Sequence, residues 1–195
     1  GSVRFEGELV TPCDAIQLRR KMGYVIQDGG LFPHLTARGN ATLMARYLGW
    51  DAERTRSRLG DLADLTRFPG DALDRYPLQL SGGQCQRVSL MRALMLDPHV
   101  LLLDEPLGAL DPMIRHDLQA ELRDIFKRLG KTVVMVTHDL AEAGYFADTT
   151  VLMRGGRIEQ AGALDELLDA PASQFVSDFT NAQRGPWEAR GGVGT

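Results

Sequence analysis

The stretch LSGGQCQRVSLMRALMLDPHVLLLDEPLGALD, residues 80–111, decides how the rest of the chain is read. Two glycines behind a serine, Ser81-Gly82-Gly83, free backbone N–H groups to point one way at a helix start. The helix macrodipole adds positive potential there, so the turn is a seat for an anion. The spacing of Val88, Met91, Leu94 and Met95 predicts a helix from Gln84 to about Leu96, which Asp97-Pro98 stops. Val100–Leu103 is a short run apolar on both faces, as a buried parallel strand requires, and it delivers Asp104 and Glu105. Acids at the carboxyl end of such a strand lie where open α/β sheets bind ligands. Adjacent residues of a strand point to opposite sides, so the two carboxylates suit different tasks. One is fit to hold Mg²⁺ through its water shell, the other to orient a nucleophile.

Upstream, Val3–Glu6 predicts a short strand, 12–21 a brief helical or irregular connection, and 23–27 a strand ending in Gln27. Asp28-Gly29-Gly30 then turns the chain. Residues 31–36 read as a loop with Thr36 as a helix cap, 37–48 and 51–65 as amphipathic helices, and 68–78 as a linker. A helical insertion over about 30–95 is therefore expected between strands of an α/β sheet. Downstream, a helix is expected from Pro112 to Leu129, then a second buried strand, 132–137, that delivers His138. A helix over 140–147, a hairpin turning at Arg154-Gly155-Gly156 and two short helices over 165–169 and 174–180 follow. The glycine-rich tail is expected to be disordered. A lone histidine after an apolar strand is more often structural than functional; the paired strand-end acids are the firmer signal.

Composition narrows the function classes. The chain has 195 residues, a net charge of −4 and only scattered basic residues, which excludes a nucleic-acid footprint. Cys13 and Cys85 are far apart and lack metal-ligand spacing, which points to a reducing compartment rather than a zinc site or a disulfide scaffold. No stretch approaches the roughly 18 consecutive apolar residues of a spanning helix, so a membrane role must come through a partner.

Five motifs, in order, resemble those of the ATP-binding-cassette (ABC) ATPases. Leu80–Gln84 matches the signature motif, Val100–Pro106 the Walker B motif with its following glutamate, Ala109-Leu110-Asp111 the D-loop, Val136–Asp139 the H-loop and Val25-Ile26-Gln27 the Q-loop. The resemblance implies an α/β fold with a P-loop NTPase-like parallel sheet and an inserted helical subdomain, within one ATPase domain over 1–180. It also implies ATP and Mg²⁺ as cofactors. Asp104 would hold the Mg²⁺ shell, with Gln27 touching metal or attacking water. Glu105 would act as general base, and His138 would contact the γ-phosphate. Ser81, Gly82, Gly83 and Gln84 would cap the γ-phosphate of ATP held by the opposite subunit of a head-to-tail dimer, with Asp111 at that interface.

The loop 31–36 and the segment after His138 resemble the importer branch, and residues 171–179 resemble osmoprotectant and glycine betaine importers. The implied partners are a second ATPase subunit, transmembrane permease subunits and, indirectly, an extracytoplasmic solute-binding protein. The implied location is peripheral, on the cytoplasmic face of the plasma (inner) membrane. The alternatives are a non-transport ABC ATPase and a regulatory remnant.

One departure stands out: no G-x-x-x-x-G-K-[ST] occurs, and the only lysines are Lys21, Lys127 and Lys131. The phosphate-cradling loop and its strand are thus missing, and a partial sequence of a complete ATPase is favoured over a natural remnant. The 195 residues alone are expected to be inactive, with exposed strand edges and apolar surface. Cys85 replaces the family's long polar residue. It is either a tolerated substitution or a thiol with lowered pKa at a helix N-terminus.

Overall fold

Val100–Asp104 forms the central strand of a three-stranded parallel sheet in a computed structural model that describes residues 2–27, 29–108 and 111–183. The chain forms two compact units, one up to Val136 and one from Thr137 onward. In the first unit the elements run β1 (Arg4–Phe5), β2 (Glu8–Leu9), α1 (Ala15–Arg20), β3 (Met22–Val25), α2 (Ala37–Ala41), α3 (Leu43–Tyr47), α4 (Ala52–Leu65), α5 (Gly82–Leu94), β4 (Val100–Asp104), α6 (Pro112–Leu129) and β5 (Thr132–Val136). β4 pairs in parallel with β3 on one side and β5 on the other, bringing Tyr24, Leu102 and Val134 into register.

Four helices, α2 to α5, separate β3 from β4 in sequence. α5 starts at Gly82, two residues before the expected Gln84, because Ser81 caps it. Ser81 Oγ accepts from the Gln84 N–H at 3.2 Å, and Gln84 Oε1 accepts from the Ser81 N–H at 3.0 Å, a reciprocal capping box. Val88, Met91, Leu94 and Met95 along its stripe are fully buried, and removing each such side chain from water contributes about 1.5–3 kcal/mol. The helix packs directly on β3. That approach requires Gly23, since a Cβ there would stand 2.6 Å from the Ala93 carbonyl oxygen. Asp97, at φ 54, turns the chain out of the helix ahead of Pro98.

α4 and α6 begin on aspartate caps: Asp51 accepts from the Arg54 N–H at 2.8 Å and Asp111 from the Ile114 N–H at 3.1 Å. α6 ends at Gly130 in the left-handed region, φ 57. An ion pair of 2.6 Å between Arg87 and Glu121 joins α5 to α6.

Several expectations need correction. The helix expected over 37–48 is two helices that meet at Thr42, which leaves helical φ/ψ at φ −92 and ψ 1 while its hydroxyl and its N–H both donate to the Arg38 carbonyl, at 2.8 and 3.0 Å. The strand expected at the start pairs antiparallel with a second one, Glu8–Leu9, as a small hairpin. The linker 68–78 holds two 3₁₀ turns, Gly70–Ala72 and Pro77–Gln79. β5, expected to be buried, pairs on one edge only and leaves Val134 50% and Val136 57% exposed.

The second unit contains α7 (Leu140–Phe146), β6 (Thr150–Arg154), β7 (Arg157–Gly162), α8 (Leu164–Asp169) and α9 (Gln174–Gln183). β6 and β7 form the expected hairpin through Gly155 and Gly156, both at positive φ, as a tight primed turn demands. Leu167 and Val176 are its fully buried anchors. Gln160 braces the chain beyond β7: its amide nitrogen donates to the carbonyls of Glu166 and Ala170, and its oxygen accepts from the Ala172 N–H. The glycine-rich tail beyond 183, expected to be disordered, lies outside the described residues, as do Asp28, Ala109 and Leu110.

Candidate functional site

The carboxyl end of β4 carries the acidic pair, and the two side chains have different neighbours. Asp104 accepts a hydrogen bond from the Tyr24 hydroxyl of β3 at 3.3 Å. Glu105 stands within 3.4 Å of the Gln27 amide nitrogen. Thus two sequence-predicted site residues 78 positions apart meet across the sheet end. Glu105 takes φ 42, a left-handed conformation for a residue with a side chain, at a cost of about 1–3 kcal/mol. Its N–H donates to the Val136 carbonyl at 2.9 Å, and its own carbonyl accepts from the Gly108 N–H at 3.1 Å, which hold it there. Strain of this kind concentrates at sites where a side chain must be aimed rather than packed.

The turn behind Gln27 is held by groups that sequence reasoning did not single out. Gly29 and Gly30 are both at positive φ. Arg92 of α5 donates to the Gly30 carbonyl at 2.7 Å and to the Gly29 carbonyl at 2.8 Å, while fully buried Ser89 donates to the Gly29 carbonyl at 2.8 Å. A signal was present: Ser89 and Arg92 are polar residues one helical turn apart beside an otherwise apolar stripe. Farther on, buried Asn40 clasps the loop, its Oδ1 accepting from the Phe32 N–H at 2.7 Å and its Nδ2 reaching the carbonyls of Phe32, Leu35 and Thr36.

Ser81, Gly82, Gly83 and Gln84 form the start of α5, with Ser81 and Gly82 exposed and Gly83 buried. The capping box uses the N–H groups of Ser81 and Gln84; those of Gly82 and Gly83 take no part in it. A Cβ on buried Gly83 would stand 3.1 Å from Ile114, so the starts of α5 and α6 are neighbours. Eleven residues separate Ser81 from the Arg92 clamp, roughly 16 Å along the axis at 1.5 Å per residue. Cys85, in the same turn, corrects one expectation. Burial pushes its thiol up rather than down, and its Sγ lies 3.6 Å from the Pro77 carbonyl; it is a packed side chain and not an activated nucleophile.

His138 belongs to the second unit, two residues past the end of β5, with an exposed side chain. Its carbonyl accepts from Gln183 Nε2 at 3.0 Å. Among the described residues there is no group of three or more His, Cys, Asp or Glu side chains placed to share a metal ion, and no helix long and apolar enough to cross a membrane.

A parallel sheet flanked by helices, with its carboxylates at a strand's carboxyl end, defines a P-loop NTPase-like α/β fold. Solved structures share it: the ATP-binding cassette MJ0796, in a dimeric post-hydrolysis state bound to ADP and Pi, matches with a TM-score of 0.70 and 31% identity, over 84% of this chain and 73% of that one. The cbiO1 protein of Clostridium perfringens, described as part of the ABC transporter complex cbiONQ, matches with a TM-score of 0.76 and 26% identity, over 92% and 70%. The chain belongs to the ABC transporter family, whose model matches residues 1–108. Among curated relatives, the glycine betaine/carnitine/choline transport ATP-binding protein OpuCA of Bacillus subtilis is 45% identical over 184 residues, 94% of this chain and 48% of the relative. The osmoprotectant import ATP-binding protein OsmV of Salmonella typhimurium is 44% identical over 185 residues, with the same coverage. The chain therefore spans about half the length of the curated relatives it matches.

Proposed function

We propose that this chain is part of the ATP-binding and hydrolysing subunit of an osmoprotectant importer, with residues 1–180 as its ATPase domain and about 30–95 as the helical subdomain. The observation that carries the reading is the meeting of Gln27 with Glu105 beside Asp104 at the carboxyl end of the central strand. The names of the OpuCA and OsmV relatives support the substrate class.

The donor set fits Mg²⁺. Asp104 and Glu105 offer hard oxygen ligands and no soft ones, and a magnesium ion takes one or two carboxylates with water and phosphate rather than a closed protein cage. Bound with ATP, the ion neutralises charge on the β- and γ-phosphates. Asp104 would hold its water shell, and Gln27 would touch either that shell or the attacking water. Glu105 is the general base or orienter of that water; its aim is fixed by the strained φ and the Val136 hydrogen bond. His138 serves as the γ-phosphate contact.

The signature turn, with Gly82 and Gly83 N–H groups outside the capping box at the start of a 13-residue helix, fits a phosphate. Its separation from the Gln27 turn along α5 supports its use on a nucleotide held by a second subunit, with Asp111 at that boundary. The subunit then works as a head-to-tail dimer on permease subunits at the cytoplasmic face of the membrane, supplied by a solute-binding protein. The 195 residues contain no G-x-x-x-x-G-K-[ST] sequence.

Glu105→Gln in the natural gene product tests the mechanism. Hydrolysis is expected to be lost while an ATP-bound dimer accumulates on gel filtration; near-normal turnover overturns it. Glycine betaine uptake into vesicles carrying the subunit with its permease tests the substrate class, and uptake independent of ATP refutes the importer reading.

A further inference from the structure

Glu142 is the one acidic side chain buried among the described residues, 3% exposed in the first turn of α7. A carboxylate is costly to remove from water unless hydrogen bonds replace its hydration. Its Oε2 accepts from the Thr137 hydroxyl at 2.7 Å. The same Thr137 oxygen accepts from the Asp139 N–H at 3.1 Å. Asp139 in turn caps α7, its Oδ1 accepting from the N–H groups of Ala141 and Glu142 at 2.8 and 3.3 Å. The residue between them, His138, has its carbonyl held by Gln183 of α9 at 3.0 Å. Backbone on both sides of His138, and its own carbonyl, are thus tied down while its imidazole faces outward.

We infer that Glu142 is a positioning residue: through Thr137 it fixes the direction in which His138 is presented, and Gln183 is a second latch on the same turn. The hydroxyl of Thr137 is the pivot, since its one proton goes to Glu142 and its lone pair receives the Asp139 N–H. A hydroxyl committed in both directions cannot rotate, so the chain entering His138 has one orientation. A role for this in catalysis rests on the reading of His138 as a phosphate contact; the positioning itself does not.

The test is backbone and imidazole NMR on the 195-residue chain, with chemical unfolding of each variant as a control for folding. Glu142→Ala and Thr137→Val are expected to lower the His138 backbone order parameter from about 0.85 to below about 0.6 and to shift its ring carbon signals, with signals of the β6–β7 hairpin unmoved. Glu142→Gln and Thr137→Ser keep an acceptor and a hydroxyl, and are expected to restore the parent spectrum. Gln183→Ala, at an exposed position, is expected to loosen His138 by less without unfolding, which keeps the idea testable if Glu142→Ala fails to fold. Unchanged His138 signals in Thr137→Val and Gln183→Ala overturn the inference, as do conservative variants as disrupted as the deletions. If the His138 signals respond as expected but His138→Ala leaves hydrolysis by the natural gene product intact, positioning stands and the phosphate-contact reading falls.

Discussion

The two faces of the three-stranded sheet differ in how they are covered among the described residues. One face, carrying Gly23 and Val25 of β3 and Leu101 and Leu103 of β4, is buried, with α5 packed on β3. The other carries Tyr24, Leu102, Val134 and Val136, and there Tyr24, Val134 and Val136 remain half exposed or more. Asp104 lies on this second face, within reach of the Tyr24 hydroxyl. Asp104 projects from the less covered face, while Leu101 and Leu103 of the same strand are buried on the other. The difference teaches that burial of one side is enough to hold the strand that carries the acids.

The largest effect that tests this contrast is Leu101→Ala, which opens a cavity under α5 and is expected to destabilise the chain by about 2–5 kcal/mol in urea unfolding. Val134→Thr, on the open face two residues from the end of β5, is expected to stay within about 0.5 kcal/mol. Equal losses for the two would mean that the open face is covered in solution. Next comes Gly23→Ala, where the new Cβ meets the Ala93 carbonyl; overpacking of this kind costs about 1–3 kcal/mol, and an unchanged midpoint would show that α5 does not lie so close.

A smaller change with the opposite sign is expected at the active end. Glu105→Gly relieves the left-handed strain and should raise stability by about 1 kcal/mol while abolishing hydrolysis in the natural gene product. A fall in stability would show that the φ of Glu105 is not a strained one. The smallest effect is at the far end of β4, where Glu6 pairs with His99 and with Lys21, the latter at 3.2 Å. The hydrogen bond from His99 and then that from Lys21 hold the Glu6 carboxyl below its ordinary value of 4.5. Its contribution is therefore present above pH 4.5 and lost as pH falls below that toward the lowered value. Glu6→Gln is expected to flatten the acid limb of the unfolding curve slightly, and the pH profile of the melting temperature checks it.

Much of this was legible in the sequence because the signals are local. The glycine turn Ser81-Gly82-Gly83 that opens α5, the stop at Asp97-Pro98, the Thr36 cap and the Gly155-Gly156 turn each follow from φ/ψ preferences and hydrogen bonds spanning a few residues. The order of Gln27, Asp104 and Glu105 at strand ends was legible for the same reason. The break at Thr42 was missed because apolar periodicity continues across it, and a one-residue departure from helical φ/ψ leaves no trace in that period. β5 was misjudged because an apolar run says that burial is possible, not that a neighbour supplies it.

The sequence by itself determined the family, the parallel character of the central strands and the residue types at the sheet end, since motif spacing and side-chain period are properties of the chain alone. Only the tertiary structure decided that Arg92 and Ser89 grip the turn behind Gln27, that the Tyr24 hydroxyl faces Asp104, and that burial pushes the Cys85 thiol up. It also decided that Thr137 and Glu142 lock the turn at His138. Each depends on which groups lie within 3 Å or so after folding, a short-range condition on hydrogen bonds that no spacing along the chain can set.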